Sequence, residues 1–466
     1  MSAWYLGMRR GPLNAHCFEI LSFVLAVLGS SLLAQSQTSK PPRLALTSAP
    51  EPVYAQDPGD AWNRIFHVLF SRRMEVRLSS EFPEGAPFTK EGIDLNLLRL
   101  GLQVSKGTFE RNEVGDRAID PLYPSSLDGA VSRWVLTDPA YSELIKVLQG
   151  ALNENDNVPR SPIARALMQS DLWAAHDIFF IPLPQADEKE LGERRRSLVD
   201  LLARLIRKIA LTHEEIKSLP DNYSTAMRQH SLPDVFDRKS GWIEVQWFPG
   251  RAHDNEAGYR RVSRIFVKPA HSQSDMQKFL DEMPGRSDSP GTDLEGVALV
   301  MQLLLIDAQG NLRPTALSTD VQVRRFERTS DGVFKRTAIQ VYEISRRLFL
   351  RDPGSGGLVE EEENSPAYAG NFTFASGYFM VGMGQFQVGP PVQIKLRTRC
   401  VLCHFDSDLT QVRTFSIVRP PHPPRVKQLN PAAHEEADFD IARKKARNDF
   451  KSLRAYFDSA SVAELH

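Results

Sequence analysis

The sequence predicts an α+β protein: a mostly helical N-terminal half, a β-rich C-terminal half and a C-terminal amphipathic helix. Three observations predict it. From Trp62 to about Pro233, apolar residues recur at spacings of three and four, which keeps them on one side of a helix. From about Gly241 the pattern becomes alternation within runs of β-branched and aromatic residues bounded by Pro, Gly and Asp, as strands require. From Glu435 to Asp458 helical spacing returns. At 466 residues the chain has room for two or three domains, and it shows no fixed-period repeat of the kind that builds propellers or solenoids.

Residues 1–34 read as an export signal. Arg9 and Arg10 precede the apolar run Ile20–Leu33, which is as long as a signal-peptide core and shorter than the roughly 20 residues of a membrane span. Ala34 and Ser36 offer a small-residue cleavage site. If it is not cleaved, the segment associates the protein with a membrane. Either way, the rest of the chain is expected in a bacterial periplasm or cell envelope. Residues 35–60, rich in Pro, Ser and Gln, read as a linker.

Residues 61–235 are expected to form a mainly helical domain. In Ser161–Asp177, Pro162 stands at the first helical position, with Ile163, Ala166, Leu167, Leu172 and Ala175 in phase. This helix carries Met168 and His176, which have the chemistry of iron ligands but read as core residues. In Asp187–Leu211, Leu191, Leu198, Leu201, Leu202, Leu205 and Ile209 share a face, while Arg194–Arg196, Arg204, Arg207 and Lys208 lie elsewhere, on a solvated face. Thr212 and Glu215 form a capping box, and Pro220 stops the short helix it starts.

Residues 236–420 are expected to form the β-rich domain. Strands are expected over Trp242–Phe248, Val262–Val267, Val297–Ile306, Val321–Glu327 and Val333–Ile344, with Asp331-Gly332 turning a hairpin between the last two. Phe372–Val388 adds one or two more, and Gly354–Gly370, with Glu360–Glu363, reads as a surface loop. Residues 421–466 comprise a Pro-rich connector and the final helix. Its stripe is Phe439, Ala442, Ala446, Phe450, Leu453 and Phe457, with the basic Arg443–Arg447 cluster facing the helix dipole.

Charge excludes one class of function: 57 Lys and Arg nearly cancel 58 Asp and Glu, leaving no bulk field to attract nucleic acid. Motifs exclude others. The chain has no phosphate-binding Gly-rich loop with a Lys-Ser or Lys-Thr pair, no Gly-x-Ser-x-Gly elbow and no His-Glu-x-x-His helix.

One stretch demands a particular chemistry: Cys400-Val401-Leu402-Cys403-His404. Two thiols at this spacing can each add to a vinyl group of one haem, and the adjoining imidazole can ligate the iron. Of the three cysteines in the chain, Cys17 lies in the signal segment, so both thiols expected in the mature protein belong to this motif. Val392, Ile394, Leu396, Thr398 and Cys400 alternate with Gln393, Lys395, Arg397 and Arg399. The motif is therefore expected between strands, with Arg397 and Arg399 either beside the haem propionates or on an exposed strand face.

The pentapeptide resembles the haem-attachment site of the c-type cytochromes. The resemblance implies one covalent haem c on Cys400 and Cys403, His404 as proximal iron ligand, one-electron transfer with redox partner proteins, and attachment outside the cytoplasm. The chain departs from the small cytochromes, which carry the motif on an N-terminal helix and a distal methionine downstream. Here no methionine follows His404, and the distal candidates are Met380, Met383, His422 and His434. A sulfur ligand raises the potential relative to a second histidine, whereas an empty sixth position opens the iron to peroxide. Two alternatives stand beside electron transfer: a haem-dependent, peroxidase-like oxidoreductase with an open iron site, and a non-haem envelope binding protein with a Cys400–Cys403 disulfide.

Overall fold

A computed structural model describes residues 44–45, 53–81, 88–89, 92–93, 108–118, 135–153, 159, 161–183, 185–246, 260–269, 294–325, 327–328, 334–335, 339–360, 368–371, 391–394, 425–426 and 438–463. The chain divides into two compact units, Met1–Arg43 with Val76–Glu113 and Leu44–Glu75 with Val114–His466. The helices and the large sheet described below belong to the second unit. The protein has a mixed α+β fold with an antiparallel sheet, as its sequence periods predict.

The first strand, β1 (Leu44–Ala45), is followed by helix α1 (Ala61–Phe70) and strands β2 (Ser71–Glu81), β3 (Phe88–Thr89), β4 (Gly92–Ile93) and β5 (Thr108–Ala118). β1, β2 and β5 form a three-stranded sheet, with β1 in the expected linker and β2 and β5 in the region expected to be mainly helical. The signal was there: Met74, Val76 and Leu78 alternate with Arg73, Glu75 and Arg77, a strand period. The last residues of the expected linker are tied down. Asn63 Oδ1 accepts from the amides of Val53 (2.9 Å) and Tyr54 (2.7 Å), and its Nδ2 donates to Ala55 O and Asp57 O.

Helices α2 (Tyr141–Asn153), α3 (Pro162–Phe180), α4 (Gln185–Lys208), α5 (His213–Lys217) and α6 (Asn222–Gln229) follow. Ser161 caps α3 by accepting from Ala164 N, with Pro162 at the first helical position. Nearly the whole circumference of α3 is buried, as befits a helix at the centre of a core. α4 follows its stripe: the six expected Leu and Ile residues are buried, while Arg194, Arg196 and Arg204 are exposed. Burying one such leucine contributes about 1.5–3 kcal/mol. The capping box is present in full, with Thr212 Oγ1 accepting from Glu215 N and the Glu215 carboxylate accepting from Thr212 N.

The sheet strands are β6 (Ile243–Gln246), β7 (Arg261–Pro269), β8 (Leu294–Ile306), β9 (Leu312–Arg325), β10 (Glu327–Arg328), β11 (Phe334–Lys335) and β12 (Ile339–Ile344). After helix α7 (Arg346–Arg351) come β13 (Leu358–Glu360), β14 (Tyr368–Asn371), β15 (Pro391–Ile394) and β16 (Arg425–Val426). The main sheet has the order β13-β12-β9-β8-β7-β6-β16, with every neighbouring pair antiparallel. The expected hairpin is seen in its flanks, where β9 pairs with β12 and β10 with β11; Asp331 and Gly332 lie outside the described residues. Part of the Gly354–Gly370 stretch is not a loop, because Leu358–Glu360 pairs with β12 as a sheet edge. The turn before it needs two left-handed residues, Gly356 (φ 70°) and Gly357 (φ 68°). A side chain on Gly357 would strike Phe349 at 2.4 Å.

The C-terminal stretch departs from expectation. Instead of one helix there are two, α8 (Asp438–Ala446) and α9 (Asn448–Ala463), separated at Arg447. Phe450, Leu453 and Phe457 are buried as predicted, but Ala442 and Ala446 are exposed, and Lys444 faces inward with 0% exposure. Asn448-Asp449, residues that favour helix starts over interiors, shift the phase there. Among the described residues, no helix is long and apolar enough to cross a membrane.

Candidate functional site

Cys400, Cys403 and His404 lie outside the described residues, as do Met380, Met383, His422, His434, Arg397 and Arg399 and the signal segment 1–34. Of the strand expected to lead into the motif, Val392 and Ile394 are described, in β15, which pairs with β14. Met168 (2% exposed) and His176 (0%) are core residues of α3, as their stripe predicts. The His176 ring stacks on Phe180. Among the described residues no group of three or more His, Cys, Asp or Glu side chains is placed to hold a metal ion.

Where the described structure does concentrate chemistry is a set of buried charges. The first surrounds Asp177 near the end of α3. Its Oδ2 accepts from Lys444 Nζ of α8 (2.8 Å) and from Arg260 Nη1 (3.2 Å), just before β7. Lys444 Nζ also donates to Asp449 Oδ1 at 3.4 Å and lies 4.8 Å from the centre of the Trp173 ring. Asp449 Oδ2 in turn accepts from Arg447 Nε at 2.8 Å. Burial pushes the Asp177 carboxyl up, but Lys444, the neighbouring His176 ring and Arg260 outweigh it, and the group stays ionised well below the usual carboxylate range. Burial pulls the Lys444 ammonium down, opposed by Asp177 and Asp449 and reinforced by Arg260. Both shifts follow from one arrangement, because Asp177 meets two cations while Lys444 also meets like charge.

The second set is one turn and a half earlier on α3. Asp171 accepts from Arg346 Nε (2.8 Å) and Nη2 (2.7 Å) of α7 and from the Tyr54 hydroxyl. This is the bidentate geometry in which a guanidinium holds a carboxylate most firmly. Burial, with Asp171 beside it, pushes the Tyr54 hydroxyl well above its ordinary pKa. Two residues before Asp171, the Gln169 amide donates to Ile306 O and accepts from Ile306 N, both at 2.9 Å, docking α3 on the end of β8.

The third set lies on the sheet. Arg264 pairs with Glu244 through two hydrogen bonds (3.0 and 2.7 Å) and lies over Phe236 and Phe266. This side of the sheet also meets His230, which packs on Tyr342, and α6, whose Asn222 bonds Ser318 at both its amide and carbonyl. The opposite face carries Asp320, Gln322 and Arg324 of β9, with Glu343 of β12 directly across from Asp320. All four are at most 9% exposed, and Gln322 Nε2 donates to Asp320 Oδ1 at 3.2 Å.

The first two sets lock elements distant in sequence, and each charge in them is met by an opposite one. The row on β9 and β12 is different, since it puts two carboxylates, an amide and a guanidinium in register on one sheet face. Sequence reasoning missed these groups. Asp171 and Asp177 sit in an otherwise apolar helix, which is the available signal that each has a buried partner, but nothing in the sequence names Arg346 or Lys444. No known protein family, no curated protein and no solved structure matches this chain.

Proposed function

We propose that this protein is an exported monohaem c-type cytochrome-like protein that passes single electrons between redox partner proteins. The observation that carries the reading is the pentapeptide Cys400–His404, which holds both thiols expected in the mature chain. The donor set fits the group: two thiols at attachment spacing and an adjoining imidazole. Cys400 and Cys403 anchor the porphyrin and His404 holds the iron from one side. Once attached, the haem supplies a ferric–ferrous couple. The distal ligand comes from Met380, Met383, His422 or His434, or the position is open. In this reading the haem peptide lies between strands of the β-rich second half. The periplasm or cell envelope is the compartment, since the apolar run Ile20–Leu33 is a signal-peptide core in length.

The test is a haem stain on a denaturing gel, with the protein produced alongside a cytochrome c maturation system. A stained band at the mature mass, absent from the Cys400→Ala/Cys403→Ala variant, is the expected result. An unstained band, with the two cysteines joined to each other by mass, would sink the proposal in favour of a non-haem envelope protein.

A further inference from the structure

We draw no further inference here: the strongest candidate, the buried stripe of Trp173, His176 and Asp177 on α3, belongs to the Asp177 charge cluster already described, and nothing among the described residues shows what ligand would meet the His176 ring nitrogens.

Discussion

Glu188 and Asp177 each meet two cations, and the comparison between them separates ion pairs that decorate this protein from those that build it. Glu188 stands in the first turn of α4 and takes Arg195 at 2.8 Å and Arg196 at 3.3 Å from the same helix. Its side chain is 26% exposed, and that of Arg196 62%. Asp177 takes Lys444 from 267 positions away, in a site where Lys444 has no exposure. The distances are nearly the same. Water makes the difference: around Glu188 it screens the pairs and solvates either partner once the other is gone, whereas Asp177 has only the protein.

The largest expected effect is therefore at Lys444. Lys444→Ala leaves Asp177 buried with half its partners and is expected to cost about 3–5 kcal/mol in urea unfolding. A loss below about 1 kcal/mol for Lys444→Ala would erase the contrast with Glu188.

Acid sharpens the comparison next. The Asp177 carboxyl titrates near 4 in the unfolded chain and well lower in the folded one. The unfolded state thus takes up the proton first on acidification. The stability contributed by Asp177 is fully present above pH about 4 and disappears as pH falls below it. Asp177→Asn is expected to flatten the acid limb of a stability-against-pH profile between about pH 4 and 2. An unchanged limb would mean that Asp177 carries no special burden. The smallest effect belongs to Glu188→Gln, expected below about 1 kcal/mol and shrinking further in high salt. Salt-insensitive loss of several kcal/mol there would break the comparison from its other side.

The same contrast explains what was legible in the sequence. α4 was readable because its stripe, its acidic first turn and its basic last turn are all local. So was Thr212 as a cap, since a cap needs only the amides two or three residues ahead. The break at Arg447 was signalled by Asn448-Asp449 but masked by the phase of the phenylalanines around it. β2 was hidden by its charged residues, although Met74, Val76 and Leu78 alternate correctly. Lys444 was read as part of a basic cluster complementing the helix dipole, because its sequence neighbours Arg443, Lys445 and Arg447 are basic too.

By itself the sequence determined the α+β class, the amphipathic faces, the Thr212 cap and the pentapeptide, because each depends on spacings of a few residues that physics reads without knowing the fold. The pentapeptide stands as a proposal about chemistry for the same reason: thiol, thiol and imidazole are adjacent in the chain. Only the tertiary structure decided that Asp177 meets Lys444 and Arg260, that Asp171 meets Arg346 and Tyr54, and that β13 and β16 close opposite edges of one sheet. Those pairings join residues far apart in sequence, and burial rather than residue type sets their strength.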